Sequence, residues 1–448
     1  MQTPSPTSIF HGPAHSTLSP GPRGRIRVRG LVVLVALFCL AWIEVPAGAH
    51  PPPPSEPRGP ASDSGDEAAN SEATPPEDEG EPRPPVEIVQ ARLAGPPGHR
   101  DVRSIRPLVP GGGRLDWSRQ GDKIAFDKPG DRGLHQIYIH GVETGSERCL
   151  TCDLYELRRS HVLDPVWHPS GEHLVVQVQE SARRLGMDAA RLATPIRGVH
   201  SELWVIHRDG RGAWQLTRGQ QRGAAVLDPH FSYEGNRLVW SERQSSVERP
   251  WGDWGLRIGE VKIRRGVPRL TDIQLFEPAG FRPGFVVATE FTPNDRGLLL
   301  AASPDVGQRP SGRDLLRYDL ESGAVERLTE TRDVWDDRPA LSPRGDRLLW
   351  VSDRGIEPDL DHRLPYRGDL WLRIEREGRE ERLTYFNDSK SDHSLGEALI
   401  DDLAWSPRGD LVAVHVVNLP ADAVAEFEDE LPLDQGIYLV TLDESYRR

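Results

Sequence analysis

Beyond residue 100 the apolar positions fall in short alternating runs, separated by clusters of Gly, Pro, Asp and Ser. Alternation with period two marks a half-buried strand, and the punctuating residues are those that turns require. The runs recur as one pattern. A short run ends in Trp, Phe or Leu and is followed by Ser/Thr/His-x-x-Gly or Asp. An alternating strand comes next, then a variable stretch, a second strand, a turn and Leu-Thr. The six copies open at Leu115-Asp116-Trp117-Ser118, Asp164-Pro165-Val166-Trp167, Asp228-Pro229-His230-Phe231, Glu290-Phe291-Thr292-Pro293, Arg338-Pro339-Ala340-Leu341 and Asp402-Leu403-Ala404-Trp405. A unit of four short strands cannot bury its own faces, so the copies must stack on one another. Four-stranded units set around an axis are propeller blades. The expectation is an all-β, six-bladed β-propeller over 87–448. The sixth copy lacks its fourth strand, and Ser104-Ile105-Arg106-Pro107-Leu108 resembles it. A strand over 102–109 is therefore expected to pair with Gly436–Leu442 and close the ring, protecting otherwise open edges.

The pattern changes twice upstream. Arg23, Arg25, Arg27 and Arg29 precede Leu31–Trp42, an uncharged run too short for an ordinary spanning helix, and Ala47-Gly48-Ala49 follows with small-x-small spacing. Residues 1–49 are read as a signal peptide cleaved after Ala49, or as an uncleaved signal anchor. Phe38 is too bulky for lipoprotein processing at Cys39. Residues 50–86 hold 11 prolines, 9 acids and 2 arginines, a net charge of −7. Such a segment buries too little apolar surface to offset its ordering entropy and is expected to be a disordered, extended tether.

Charge narrows the partners. The formal net charge is −14, negative in the tether and in the ring alike. Nucleic acid is excluded as a partner, because phosphate neutralisation needs clustered Lys and Arg. No second long apolar run exists, so the membrane is contacted only through an uncleaved N-terminal segment. The expected location is the periplasm or the cell exterior, with inner-membrane anchoring if the signal stays attached. Three cysteines cannot form a disulfide scaffold. A monomer is expected.

The repeats resemble the WD-like propeller repeats of the TolB family, whose text runs Pro-x-Trp-Ser-Pro-Asp-Gly, a strand, Ile-Tyr-x-x-Asp and Leu-Thr. The resemblance covers about 102–444 and implies the propeller. It implies less about activity, because TolB carries a folded α/β domain ahead of its propeller and this chain has the tether there. Similar propellers precede the hydrolase domain of prolyl-oligopeptidase-like enzymes. No Gly-x-Ser-x-Gly occurs in this chain, which argues against peptidase activity.

Loop lengths point to a binding face. First-to-second and third-to-fourth turns share one face of such a ring and are tight, as at Pro169–Glu172 and Pro343–Asp346. Second-to-third connections share the other face and are long: Glu180–Ser201, Glu242–Trp254, Pro304–Arg313, Asp353–Gly368 and Asn418–Gln435. Long loops on a rigid scaffold commonly bind. At the channel mouth on that face stand Asp164, Asp228, His230, Glu290, Asp336, Asp337, Asp401 and Asp402. They are candidates for a divalent cation such as Ca²⁺, for the ammonium end of a peptide, or for turn capping. Arg114, Ala288 and Arg338 interrupt the ring of acids, so no cofactor is firmly implied. Trp251, Trp254 and Trp335 fall in long-loop regions, where they either stack on a ligand or fold back onto the propeller. Cys149-Leu150-Thr151-Cys152 is read first as a local disulfide; free thiols, metal binding and redox catalysis are the other readings.

The resulting expectation is an exported, cell-envelope-associated, non-catalytic propeller that binds a protein, peptide or glycan on its long-loop face. The alternative is a lyase- or hydrolase-type propeller enzyme, with or without a metal, using His161, His230, Glu290 and Asp402.

Overall fold

The computed structural model describes residues 102–180, 200–218, 225–243, 254–276, 286–302, 312–331, 333–356, 366–419 and 434–443. Among them are twenty-four strands and no helix, arranged as six four-stranded antiparallel sheets. β1 (Val102–Pro110) comes first in the chain but belongs to the last sheet. The first blade is β2 (Leu115–Trp117), β3 (Lys123–Pro129), β4 (His135–Gly141) and β5 (Glu147–Cys149). The second is β6 (Ser160–Trp167), β7 (His173–Glu180), β8 (Ser201–His207) and β9 (Ala213–Gln215). The third is β10 (Val226–Phe231), β11 (Arg237–Arg243), β12 (Trp254–Arg264) and β13 (Val267–Phe276). The fourth is β14 (Val287–Phe291), β15 (Gly297–Ala302), β16 (Asp314–Asp319) and β17 (Val325–Arg327). The fifth is β18 (Asp336–Leu341), β19 (Arg347–Ser352), β20 (Asp369–Ile374) and β21 (Arg379–Arg382). The sixth is β22 (Glu397–Trp405), β23 (Leu411–Leu419) and β24 (Asp434–Leu442), with β1 as its fourth strand. β1 pairs antiparallel with β24 from Val102 opposite Leu442 to Pro110 opposite Gly436.

The core is divided among the blade junctions. One apolar cluster lies between each neighbouring pair, for example Ile137, Val162, Trp167 and Leu174 between the first and second blades. Trp117, Phe126, Ala404, Ala413 and Ile437 form the cluster between the sixth and the first. This explains why second strands such as β15 are buried along their whole length: both of their faces meet another sheet. Burial of each large apolar side chain stabilises the fold by about 1.5–3 kcal/mol.

The repeated turn text has a local cause. Ser118, Ser342 and Ser406 donate from Oγ to Asp122, Asp346 and Asp410 at 3.1, 2.7 and 3.0 Å, and Ser232 does the same to Asn236 at 3.1 Å. The residue between these partners sits at positive φ, as in Gly121 at 83°, with Asp295 at 58° in the fourth blade.

Candidate functional site

β2, β6, β10, β14, β18 and β22 are the innermost strands, and one edge of each has no ladder partner. Five of them are interrupted by a register shift: β6 between Leu163 and Val166, β10 between Leu227 and His230, β14 between Ala288 and Glu290, β18 between Asp337 and Ala340, and β22 between Ile400 and Asp402. Such bulges redirect side chains. In three of them a non-glycine residue adopts positive φ: Asp164 at 52°, Asp228 at 47° and Arg338 at 54°. Proline follows in each case, which a strand with one free edge tolerates. A left-handed conformation costs on the order of 1–2 kcal/mol per residue. It persists where the surroundings over-determine it.

Here the surroundings are charges. Arg114 donates from one terminal nitrogen to Asp228 at 2.8 Å and from Nε to Asp401 at 3.0 Å, and lies 3.7 Å from Asp164. Arg338 reaches the same Asp228 oxygen at 2.7 Å. His415, almost fully buried, places Nδ1 3.5 Å from Asp401. Five blades thus meet in one buried ion-pair cluster on the channel axis. Burial alone raises a carboxyl, yet Arg338 and Arg114 hold Asp228 below the usual range, and Arg114 holds Asp401 far below it. Asp164, with burial dominant and only a distant share of Arg114, is pushed up. Its Oδ2 is buried without a hydrogen-bond partner.

Three further acids bind backbone across blade junctions. Asp116 Oδ2 accepts from the Trp167 N–H at 2.7 Å, Glu290 Oε1 from Leu341 at 2.5 Å, and Asp402 Oδ2 from Leu115 at 2.9 Å. They satisfy N–H groups that the free inner edges would leave orphaned. Burial pushes Asp116 to about 7 and Glu290 to about 8, although each accepts an N–H, and it also raises Asp402 against the pull of Arg338 and Arg114.

From the ion-pair cluster a cavity of about 370 Å³ runs outward along the channel. Its inner end holds Asp164, Arg338 and Asp402. Its walls include Trp117, Trp167, Trp405 and Phe231, and its rim Arg119, Pro169, Tyr233, Pro343 and Pro407. The rim residues belong to first-to-second turns, so the cavity opens on the tight-turn face. Arg119 lies across part of the mouth, donating to the Tyr233 carbonyl at 2.7 Å with its guanidinium 4.3 Å from the ring centroid.

The structure sorts the sequence candidates. Asp164, Asp228, Asp401 and Asp402 gather near the axis, and His230 and Glu290 line the cavity. Asp336 and Asp337 do not line it: Asp336 accepts from Trp350 Nε1 at 3.1 Å and Thr331 at 2.8 Å, while Asp337 pairs with Arg313. Arg114 and Arg338, which interrupt the ring of acids in the sequence, bring their charges in among the carboxylates. No group of three or more His, Cys, Asp or Glu among the described residues is arranged to hold a metal. The long second-to-third connections lie largely outside the described residues, and the cavity opens at the first-to-second turns, away from the strand ends that lead into those connections. Trp251 also lies outside them. Trp254 and Trp335 are buried, at 8% and 6% exposure, and offer no stacking surface. Cys149 and Cys152 are joined by a disulfide. His161 lies apart from the cavity lining; its Nδ1 accepts from the His135 N–H at 3.3 Å, and His135 Nδ1 meets Asp127 at 2.8 Å. Sequence reasoning overlooked Asp116, Arg119 and Tyr233. Each sits in or beside the repeated Trp/Phe-Ser turn, and that shared position was the available signal.

No family model matches the chain, and no curated protein does. Similar solved structures include a protein assigned as TolB from Agrobacterium tumefaciens (14% identity, TM-score 0.43, covering 74% of this chain and 90% of that one). TolB from Acinetobacter baumannii is similar at 13% identity and TM-score 0.43, over 77% of this chain and 65% of that one. Oligogalacturonate lyase from Vibrio parahaemolyticus is similar at 11% identity and TM-score 0.42, over 76% and 94%.

Proposed function

We propose that the protein is an exported, non-catalytic propeller that binds a peptide or protein segment of the cell envelope by seating its amino-terminal end in the channel cavity. The observation that carries this reading is the Asp164 carboxyl at the inner end of an aromatic-walled cavity, with one buried oxygen that has Arg114 at 3.7 Å but no donor at hydrogen-bond distance. An ammonium supplies both the missing hydrogen bond and a positive charge, and the tryptophan walls accommodate the apolar side chains behind it. The cavity volume suits a few residues rather than a folded surface.

The other carboxyls support binding over catalysis. Asp116, Glu290 and Asp402 are committed to backbone N–H groups, and Asp228 and Asp401 to arginines. His230, which burial lowers to about 4, forms no hydrogen bond with a carboxylate. A carboxylate bonded to the ring would orient His230 and favour its protonated form, and His230 has no such partner to tune it as an acid or base.

Tripeptides with a free amino terminus should raise the melting temperature, and their N-acetylated forms should not. Asp164→Asn should weaken the free peptide at least tenfold while leaving the fold intact. Equal effects of free and acetylated peptides would remove the reading. A shift with Mn²⁺, Ca²⁺ or Zn²⁺ and none with peptides would favour the lyase- or hydrolase-type alternative.

A further inference from the structure

The third blade carries an element that its neighbours lack. In the first, second, fourth and fifth blades the third strand ends opposite the first residue of the second strand: Gly141 opposite Lys123, His207 opposite His173, Asp319 opposite Gly297 and Ile374 opposite Arg347. In the third blade Arg237 pairs with Glu260, and β12 runs on for four more residues to Arg264. At about 3.4 Å per residue, the ribbon of β12 and β13 extends about 14 Å past β11. A two-stranded ribbon is marginal by itself. One face of this one is held. Val261 and Leu270 join the apolar cluster between the second and third blades, Pro268 is buried, and Gly266 at the tip lies beside His173 of the second blade.

The other face is exposed and basic. Lys262 stands directly opposite Arg269, and Arg264 follows on the same face opposite Val267. Like charges directly opposite one another destabilise a ladder. The two acids of the ribbon, Glu260 and Asp272, both go to Lys262, at 2.8 and 3.4 Å. Arg264, Arg265 and Arg269 are exposed, and none forms a salt bridge or side-chain hydrogen bond among the described residues. The acids of the adjoining second-blade turn have cations of their own: Glu172 lies 3.3 Å from Arg208, and Asp209 pairs with Arg211. Residues 260–272 thus hold four cations against two acids, in a chain of net charge −14. Among these cations an aliphatic side chain, Ile263, is 41% exposed.

We propose that this ribbon is a peripheral membrane contact, which lays Lys262, Arg264, Arg265 and Arg269 on the headgroups of an anionic lipid surface while Ile263 enters the interface. Such a surface attracts a protein by headgroup charge and apolar burial together, and the ribbon offers both within a few residues. The acids elsewhere on the ring do not prevent the contact, because at physiological salt charges more than about 8 Å away are largely screened. The contact adds to any anchoring by the N-terminal segment and does not depend on what the cavity binds.

The test uses the full chain with vesicles of phosphatidylcholine alone and of phosphatidylcholine with phosphatidylglycerol. Phosphatidylglycerol should raise the bound fraction, and high salt should reverse the rise. The N-terminal arginines can add to this binding, so the site is read locally. Amide hydrogen exchange across 262–270 should slow at least threefold with the anionic vesicles and stay unchanged with the neutral ones. In a chain carrying R264Q, R265Q and R269Q that protection should disappear at an unchanged melting temperature, and I263S should reduce it. Exchange across 262–270 that ignores the anionic vesicles would overturn the proposal, even if the chain binds them. Protection that persists in the arginine variant would overturn it too. A soluble acidic polypeptide that protects 262–270 where the vesicles do not would also overturn it, and would give the ribbon to an acidic protein.

Discussion

Glu290 shows what a single residue contributes in this channel. Its carboxyl accepts the Leu341 N–H across a blade junction, and burial lifts it to about 8. A carboxyl raised above its unfolded value binds more protons in the folded state, so stability falls as pH rises through the interval between the two values. For Glu290 that interval runs from about 4.5 to about 8. Glu290→Gln keeps the acceptor oxygen and removes the ionisation. It should flatten the decline and be more stable than the wild type at pH 8.5 by roughly 1–3 kcal/mol, measured as urea midpoints across pH. A steeper decline in the variant would contradict this. The acid was legible as a channel candidate from its place in the repeat. Its partner was not, because Leu341 lies fifty-one residues away and only blade stacking brings its N–H there.

At the scale of elements, the repeat marked the strands closely. A strand over 102–109 beside Gly436–Leu442 is expected, and β1 covers Val102–Pro110 while β24 covers Asp434–Leu442. The third blade departs most. Its outer strand β13 has ten residues where other outer strands in the first five blades have three or four. Arg265 and Gly266, both at positive φ, make a two-residue turn that lets the ladder of β12 and β13 run on to Phe276. The pairing of β1 with β24 has a consequence for stability. β1 contributes Val109 to the cluster between the last and first blades, and Val102 and Ile105 pack at the junction of the fifth and sixth. Deleting 87–110 should expose the edge of β24 and lower the melting temperature of the whole ring by several degrees or more. A truncated chain that melts like the full one would show that β1 is not needed to hold the ring.

For the molecule as a whole, Arg114 is the residue whose effect is least local. It stands in the first blade and touches acids of the second, third and sixth, while Asp228 passes the contact to Arg338 of the fifth. Removing one member of a buried ion cluster leaves uncompensated charge, at a cost of about 3–5 kcal/mol. Arg114→Met should therefore lower stability by that order in a single transition, without selective loss of one blade. A second, separate transition would show that the blades are not coupled through the axis.

The sequence by itself determined the blade count, the strand text, the turn chemistry and the pairing partner of β1. These depend on periodicity, on φ preference and on hydrogen bonds spanning a few residues, all local properties. It marked Asp164, His230, Glu290 and Asp402, which line the cavity, but set Asp336 and Asp337 beside them and overlooked Asp116. Only the tertiary structure decided what they do there. Arg114 and Arg338 read as gaps in an acidic ring until five blades placed them between Asp228 and Asp401. Whether Trp335 was exposed depended on the neighbouring blade that covers it. The face on which the cavity opens was likewise hidden, because loop length is a property of single connections. A cavity is the space that six converging strands leave between them.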